Sequence, residues 1–523
     1  MTLQGTSFIG NQRGTGSDIS CHANNPATGE QLEPAYISTT SEELDRAVEL
    51  ATAAFPIYSA SSGTDRAKFL RTIADEIDAI VDEIAVRGPL ESGLPEARLR
   101  GETARTTGQL RLFASVVEDG SWVDARIEHG QPDRQPIPKV DLRSQLRGIG
   151  PVAVFAASNF PMAFSTAGGD TASALAAGCP VIVKAHSSHP GLSEMVAQCV
   201  IKAANSCGMP EGVFSLVYGS GRTIGQALVK HPGIQAVGFT GSQAGGRALM
   251  DSAAARPQPI PVYAEMSSIN PVFILPGALA ERGQALAEGL YGSLTMGVGQ
   301  FCTNPGLVFT PTSGAEAFTE KLTTTTAAGA TGTMLNNSIA ESYCSGVETL
   351  KAKGGVELLA EVPSSLKGAQ GGPAVFRTNV DTFLKDDDLV EEVFGPTTLI
   401  VASDEKAELL KAAEALEGQL TATIQGTEAD LAEYSDLVEI LVRKAGRVIF
   451  NGFPTGVEVC HSMVHGGPYP ATSDGRSTSV GTMAIYRFAR PVSYQNFPDT
   501  ALPDALKEAN PLGIKRMVDG VRD

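Results

Sequence analysis

The chain lacks any long apolar run: no hydrophobic stretch among its 523 residues approaches the ~20 needed to cross a bilayer. It also lacks an excess of positive charge, because 40 Lys and Arg residues face 58 Asp and Glu residues, a formal net charge of −18. Such an acidic chain binds nucleic acids and anionic membranes poorly, so we expect neither as a partner. It has no internal repeat and no low-complexity tract.

Paired cysteines are missing as well. The seven cysteines are scattered and follow no regular spacing, which is typical of a reducing compartment and not of a disulfide framework. The first residues show no basic start followed by an apolar core, so no secretory signal is indicated. We therefore expect a cytoplasmic protein. Its length exceeds what one hydrophobic core supports and predicts two or three domains.

Short apolar runs alternate with helical stretches from Gly150 onward. The runs that read as strands are 152–156, 181–184, 214–218 and 236–240. Continuous apolar strands separated by helices indicate a doubly wound parallel sheet, which binds nucleotides at the carboxyl ends of its strands. A second set of β/α units begins near Val272.

Three residues are candidates for catalytic roles. Cys302 lies between glycines and a Pro-Gly turn, where it is either a nucleophile or a buried thiol. Asn159 follows the first buried strand and either donates to an oxyanion or forms an Asx turn. Glu265 follows a short apolar run, where partial burial would raise its pKa and make it a general base. A surface glutamate is the alternative.

Three further features suit a nucleotide. Lys184 ends a predicted strand and either contacts ribose or phosphate or is simply solvated. Gly241 and Ser242 lie in a tight turn before a helix, whose N-terminal amides can bind a pyrophosphate. The glycine-rich segment 219–225 is interpreted as a turn that carries Arg222.

Two histidine-containing segments resemble short metal motifs. His186 and His189 lie close together without an acidic or cysteine partner, and Cys460, His461 and His465 lie in a Gly-rich loop. We interpret both segments as packed or solvated loops and predict no metal site.

Six motifs follow one another in a specific order. They are Asn159-Phe160-Pro161, the strand-end Lys184, Phe239-Thr240-Gly241-Ser242, Glu265, Gly299-Gln300-Phe301-Cys302 and Glu391-Glu392-Val393-Phe394-Gly395-Pro396. Each motif alone is weak, but the ordered set resembles the aldehyde dehydrogenase superfamily from about Phe8 to Phe497.

The resemblance implies an α/β fold with three parts. A dinucleotide-binding domain with a doubly wound, Rossmann-like sheet would comprise 1–129 and 148–264, and an α/β catalytic domain would comprise 265–470. A small β flap, 130–147 and 485–505, would join subunits into a homodimer or homotetramer.

The resemblance also implies residue roles. Cys302 would be the nucleophile, Asn159 would form the oxyanion hole with the Cys302 amide, and Glu265 would be the general base. Lys184, which is also expected to be a catalytic residue, and Glu392 would hold ribose hydroxyls. Gly241 and Ser242 would contact the pyrophosphate, and Phe394 would pack near the nicotinamide ribose.

The cofactor is expected to be NADP or NAD, with NADP slightly favoured. The residue three positions after the lysine is often a glutamate in the superfamily, and that glutamate repels a 2′-phosphate. Here it is Ser187. Arg222 on a neighbouring turn can pair with a 2′-phosphate, although a solvated Arg222 is the alternative.

The substrate is expected to be a small aldehyde. The segments 301–306 and 466–472 resemble a branch that contains α-ketoglutarate semialdehyde dehydrogenases and a fatty-aldehyde dehydrogenase. We expect oxidation of α-ketoglutarate semialdehyde to 2-oxoglutarate, in a pocket lined by Phe160, Phe164 and Phe453. The alternatives are an NADP-dependent medium- or long-chain aldehyde dehydrogenase, an acyl-transferring thiol enzyme and a non-catalytic protein. The sequence does not indicate which groups would bind a substrate carboxylate.

Overall fold

The computed structural model describes residues 2–522. Up to Glu265 the strands are β1 (Phe8–Ile9), β2 (Gln12–Arg13), β3 (Ile19–Asn24), β4 (Gln31–Ile37), β5 (Arg126–Glu128), β6 (Leu142–Gly148), β7 (Val152–Phe155), β8 (Val181–Lys184), β9 (Phe214–Val217), β10 (Ala236–Thr240) and β11 (Val262–Glu265). The helices are α1 (Ser41–Ser59), α2 (Gly63–Asp78), α3 (Val81–Ser92), α4 (Glu96–Asp119), α5 (Gly169–Ala176), α6 (Pro190–Ser206), α7 (Gln226–Lys230) and α8 (Gln243–Ala254).

A second series of elements follows Glu265. Its strands are β12 (Val272–Ile274), β13 (Leu307–Thr310), β14 (Gly332–Thr333), β15 (Glu357–Glu361), β16 (Gln370–Gly371), β17 (Ala374–Asn379), β18 (Thr397–Ala402), β19 (Gln419–Gln425), β20 (Ala445–Phe450), β21 (Ala489–Gln495), β22 (Met517–Val518) and β23 (Val521–Arg522). Its helices are α9 (Pro276–Thr295), α10 (Glu316–Ala327), α11 (Asn337–Ala352), α12 (Val380–Phe383), α13 (Lys406–Ala415), α14 (Glu428–Glu433) and α15 (Ser435–Lys444).

The first large sheet has the strand order β11-β10-β7-β8-β9-β1-β2. Its five strands from β11 to β9 are parallel, and β1 and β2 join antiparallel at one edge. The chain moves outward from β7 in one direction and returns through β10 in the other. This reversal opens a crevice at the carboxyl ends of the strands. The predicted doubly wound sheet is confirmed.

The register of this sheet brings distant polar residues to one edge. Phe155 pairs with Lys184, Phe155 also pairs with Phe239, and Thr240 pairs with Glu265. Because the strands are parallel, the loops that follow these residues leave the sheet on the same side. Every residue of β7 and β9 is buried, which explains their continuous apolar sequences.

The second large sheet has the order β15-β17-β18-β13-β12-β19-β20. It is parallel except for β15, which pairs antiparallel with β17. Cys302 lies in the connection from α9 to β13. The sequence interpretation missed β17 and β19. All seven residues of β19 are buried, yet its sequence contains four Gln and Thr residues that hide its strand character.

A third, five-stranded sheet has the order β21-β6-β5-β22-β23. The two strands expected in the flap, β6 and β21, pair antiparallel from Leu142–Gly148 to Ala489–Gln495. The strands β22 and β23 near the chain end extend this sheet and were not predicted. The domain boundaries given above stay a prediction. No helix within residues 2–522 is long and apolar enough to span a membrane.

Candidate active site

A strained turn presents Cys302. Gly297, Val298 and Gly299 all have a positive φ, between 57° and 65°, and this conformation is unusual for a β-branched valine. A Cβ on Gly299 would lie 2.3 Å from the backbone of Gly395, so only glycine fits there. The Asn270 side chain donates to the Cys302 carbonyl oxygen at 2.8 Å. The thiol therefore projects from a fixed backbone.

Cys302, His465 and Glu265 form one cluster. His465 Nε2 lies 3.4 Å from the Cys302 sulfur and 2.9 Å from Glu265 Oε1. Ser479 donates to the other carboxylate oxygen, Oε2, at 2.5 Å. The relative exposure of the His465 residue is 1% and that of Glu265 is 3%, so bulk water does not screen these contacts.

The cluster shifts the pKa of both acidic groups. Burial raises the pKa of the Cys302 thiol well above its ordinary value, and the adjacent Glu265 carboxylate raises it further. Burial also raises the pKa of Glu265, but the His465 imidazole and hydrogen bonds from His465 and Ser479 outweigh burial and lower it overall. The expectation of a raised Glu265 pKa is therefore wrong. The interaction with His465 and the hydrogen bonds stabilise the ionised carboxylate by more than burial destabilises it.

The loop 454–481 carries His465 into the site because its far end pairs with β11. The Met266 amide donates to the Ala471 carbonyl at 2.8 Å, and Thr472 forms a β-bridge with Glu265. The His465 amide donates to Thr478 Oγ1 at 2.8 Å. Sequence reasoning noticed His465 but interpreted its segment as a packed or solvated loop. The available signal was its position directly before the Gly466-Gly467 motif.

Asn159 lies beside the same turn. Its Nδ2 donates to the Gln300 carbonyl oxygen at 3.2 Å, and the relative exposure of the residue is 9%. The Gln300 side chain is itself fixed, because its Oε1 accepts from the Leu335 amide at 3.0 Å. An asparagine Nδ2 carries two hydrogens. The Gln300 carbonyl oxygen uses one of them.

A cavity of about 320 Å³ opens above Cys302. Phe160 and Phe164 line it as predicted, and Phe301 joins them. Phe160 packs edge-on against both other rings, with centroids 5.3 Å apart in each case. Phe453 does not line this cavity. It packs against α9, where a Cβ on Gly289 would lie 2.4 Å from its ring. Sequence reasoning missed the charged lining residues, which come from α4: Arg98, Glu102 and Arg105.

A larger cleft of about 870 Å³ lies at the carboxyl edge of the first sheet. Lys184, Ser187, Gly241 and Ser242 line it, and their role in cofactor binding stays a prediction. Burial lowers the pKa of Lys184. Ser242 caps α8 by accepting from the Gly245 amide at 3.2 Å, so free amides of the first helical turn face an anion site. The elongated cleft, the lysine and the helix N-terminus fit a dinucleotide.

Glu392 and Phe394 line a separate, smaller cavity next to Asn304. Ser267 donates to Glu392 Oε2 at 2.6 Å. Burial raises the pKa of Glu392 to about 7, although hydrogen bonds from Ser267 and Ser268 oppose the shift. Lys184 and Glu392 thus belong to different cavities.

Arg222 is exposed on a π-helical turn, Gly221–Gly225. Gly221 lines the large cleft, but the Arg222 side chain is not among its lining groups in the part of the chain that is described. Its expected place beside a 2′-phosphate remains a prediction.

The histidines near Lys184 are packed. The rings of His186 and His189 stack with centroids 5.5 Å apart, and His189 Nε2 lies 2.7 Å from the Ala157 carbonyl oxygen. In contrast, Glu265, Cys302 and His465 offer one oxygen, one sulfur and one nitrogen that all lie within 4.8 Å of one another. Such atoms can share a proton or hold a metal ion.

Comparison with known proteins decides the family. The sequence pattern of the aldehyde dehydrogenase family matches residues 15–482. The chain belongs to the aldehyde dehydrogenase family. It is an NAD(P)-dependent aldehyde dehydrogenase, as the ordered motifs indicated.

Two curated relatives cover nearly the whole chain. Alpha-ketoglutaric semialdehyde dehydrogenase 2 of Azospirillum brasilense is 52% identical over 99% of both chains. Alpha-ketoglutaric semialdehyde dehydrogenase of Acinetobacter baylyi is 47% identical over 99% of this chain and 98% of its own. Among solved structures, an NAD⁺ complex of an aldehyde dehydrogenase from Bacillus cereus superposes with a TM-score of 0.79. It is 23% identical and covers 94% of this chain and 96% of its own, which supports the fold.

Proposed function

We propose that this enzyme oxidises α-ketoglutaric semialdehyde to 2-oxoglutarate with NAD(P). The main support for this substrate is that two relatives named for this activity match nearly the whole chain, at 52% and 47% identity. The Cys302–His465–Glu265 cluster beneath an open cavity supplies the groups that the oxidation of an aldehyde to an acid requires.

Cys302 begins the reaction as a thiolate. His465 Nε2 takes the thiol proton, and the resulting imidazolium is stabilised by the ionised Glu265 at 2.9 Å. The thiolate then attacks the aldehyde carbon and forms a C–S bond. The developing oxyanion is stabilised by the remaining Asn159 Nδ2 hydrogen and the Cys302 amide.

Oxidation leaves a thioester on Cys302. Lys184, Ser187, Gly241 and Ser242 would hold the nicotinamide cofactor in the large cleft, where it would supply the two-electron oxidation by taking up the hydride of the former aldehyde carbon as the oxyanion becomes the thioester carbonyl. Glu265 next removes a proton from water, which attacks the carbonyl and releases the acid and the thiolate. The lowered pKa of Glu265 keeps this base ionised at neutral pH. In this mechanism the three-residue cluster moves protons and holds no metal.

Activity with two aldehydes tests the substrate proposal. Steady-state kcat/KM is measured for α-ketoglutaric semialdehyde and for hexanal, each with NAD and with NADP. We expect the semialdehyde to be preferred by well over tenfold, since a pocket that binds a carboxylate discriminates strongly against a substrate without one. A preference for hexanal would overturn the proposal in favour of an aliphatic aldehyde dehydrogenase.

The proposed cofactor is NADP or NAD, with NADP slightly favoured. Ser187 lines the cleft, and a glutamate at this position would repel a 2′-phosphate. We expect Ser187→Glu to raise the Kd for NADP about tenfold or more and to change that for NAD little, because only NADP carries the extra charge. Titration of cofactor fluorescence measures both values. If Ser187→Glu raised the Kd for both cofactors equally, Ser187 would not lie next to the 2′-phosphate.

The acyl-transfer alternative predicts a different response to loss of Glu265. An enzyme that passes its thioester to another thiol needs no water activator, so Glu265→Gln would spare its turnover. In the hydrolytic mechanism the same change slows turnover by about 10²–10⁴.

The proposed assembly is a homodimer or homotetramer that works in the cytoplasm. The pairing of β6 with β21 supports the proposal of a subunit-joining flap. The seven free cysteines suit a reducing compartment.

A further inference from the structure

The aldehyde-binding cavity is lined by two arginines but only one carboxylate, so one positive charge is left without an acidic partner. Arg98, Glu102 and Arg105 project from α4 at positions i, i+4 and i+7, and all three line the cavity that leads to Cys302. This spacing places them on one face of the helix.

Arg98 already has a partner. Its Nε donates to Glu102 Oε1 at 2.7 Å, and the two side chains are mostly buried, at 20% and 3% exposure. Glu102 also accepts from the Met162 amide at 3.3 Å. This ion pair therefore contributes no net charge to the cavity.

Arg447 contacts the loop that lines the same cavity, but it is also occupied. It donates to the backbone carbonyl oxygens of Gly456 at 3.0 Å and Pro454 at 2.6 Å. These bonds hold the loop that brings Gly456 and Val457 to the cavity wall. We assign Arg447 a structural role.

Arg105 is the cation without an anion. Its hydrogen bond to the Val457 carbonyl oxygen is long, at 3.5 Å, and its buried Nη1 has no hydrogen-bond partner within residues 2–522. The Arg105 guanidinium makes no ion pair with a carboxylate in the described part of the chain. Burial lowers the pKa of Arg105. A half-buried cation without a counter-ion is costly and favours a ligand that supplies one.

The aromatic rings fix where this cation lies. The Arg105 guanidinium carbon is 5.1 Å from the centre of the Phe164 ring and 5.9 Å from that of Phe160. The Phe164 ring is in turn 6.2 Å from His465, which contacts the Cys302 sulfur. The guanidinium and the histidine that contacts the nucleophile thus both lie next to the Phe164 ring.

We propose that Arg105 binds the carboxylate of the substrate and selects aldehydes that carry a negative charge at their far end. The inference rests on the proposed function and deepens it. The guanidinium fork matches a carboxylate in two parallel hydrogen bonds, while the phenylalanine rings contact the methylene groups between the carboxylate and the aldehyde. Sequence reasoning left this partner unplaced.

The test compares charged and uncharged aldehydes in matched variants. kcat/KM is measured with α-ketoglutaric semialdehyde and with pentanal for the native enzyme, Arg105→Met, Arg105→Lys and Arg100→Met. Methionine keeps much of the volume of arginine but removes the charge. Arg100 is the control, because it lies on the same helix but points to solvent and pairs with Glu96 and Asp82.

We expect Arg105→Met to lower the semialdehyde-to-pentanal ratio of kcat/KM about 100-fold, mainly through KM. Arg105→Lys should retain part of the ratio, since a point charge remains, and Arg100→Met should leave it unchanged. A ratio that is unaltered in Arg105→Met, in an enzyme that still prefers the semialdehyde, would overturn the role of Arg105. If the native enzyme shows no preference, the proposed substrate itself fails.

Product binding provides a second readout that needs no variant. We expect glutarate to protect Cys302 of the native enzyme from iodoacetamide at a concentration at least tenfold lower than pentanoate, because only glutarate presents a second carboxylate to Arg105. Equal protection by the two acids would contradict the proposal even if Arg105→Met failed to fold.

Discussion

A single ring nitrogen of His465 serves two partners. Nε2 contacts both the Cys302 sulfur and Glu265 Oε1, whereas the buried Nδ1 has no hydrogen-bond partner among residues 2–522. An imidazole held in this way can take the thiol proton and share it with the carboxylate without moving. Burial and Glu265 both raise the pKa of the Cys302 thiol, so we expect formation of the thiolate to need a base, and His465 Nε2 lies 3.4 Å from the sulfur.

We therefore predict that His465→Gln slows alkylation of Cys302 by iodoacetamide at pH 7 by about 10²-fold or more. The apparent pKa of the alkylation reaction should rise, because the nearby base is gone. His461→Gln is the control, since His461 is exposed on the same loop. An unchanged pH profile would show that His465 only packs against the thiol, and a loss of native activity on dialysis against EDTA would instead favour a bound metal.

We predict that Glu392 makes cofactor binding depend on pH. Burial raises its pKa to about 7, so the group is neutral below that pH and becomes a carboxylate above it. Only the carboxylate accepts hydrogen bonds from two ribose hydroxyls.

We expect the affinity for cofactor to increase as the pH rises through about 7, and Glu392→Gln to remove this dependence. Fluorescence titration of the reduced cofactor between pH 6 and 8, on the order of one pKa unit on each side, measures it. If the cofactor affinity of the native enzyme did not change with pH, Glu392 would not bind the ribose.

At the scale of elements, the turn between α9 and Cys302 is tightly constrained. Gly299 has a φ of 65°, and a Cβ there would lie 2.3 Å from Gly395 and Pro396 backbone atoms. We predict that Gly299→Ala lowers the free energy of unfolding by about 1–3 kcal/mol and reduces activity by displacing Cys302. Chemical denaturation measures the first effect.

Gly292→Ala is a matched control on α9, because a Cβ there meets no atom within 4 Å. It should leave activity intact and raise helix stability by up to about 1 kcal/mol. Equal losses in the two variants would mean that the turn is not specially constrained.

Elements with a clear apolar pattern were predictable from the sequence. β8 and β10 have the predicted bounds. The stretch from Gly63 to Ser92 forms two helices that break at Ala79 and Ile80, where neither glycine nor proline marks the end. The polar strand β19 was missed because the partners of its Gln and Thr side chains lie on distant segments inside the fold: Gln419 Oε1, for example, accepts from the Ile269 and Asn270 amides.

At the scale of the whole molecule, the candidate site joins residues from five distant segments. Cys302, Glu265 and Asn159 were found from the sequence because each lies in a recognisable motif. His465 and Arg105 were not, because their roles depend on contacts across 163 residues to Cys302 and 352 residues to Val457. The prediction that Phe453 lines the substrate pocket failed for the same reason. An aromatic residue in this loop can face either the cavity or α9, and the sequence alone does not distinguish the two.

The most direct measurement of the central claim is the trapping of the thioester. Native enzyme, Glu265→Gln and Cys302→Ser are each mixed with α-ketoglutaric semialdehyde and cofactor, quenched with acid within one turnover and analysed by peptide mass spectrometry. The account predicts an oxidised acyl adduct on the Cys302 peptide that accumulates in Glu265→Gln and is absent from Cys302→Ser, which still binds cofactor. Wild-type-like turnover by Cys302→Ser, or an acyl adduct on another residue, would contradict it.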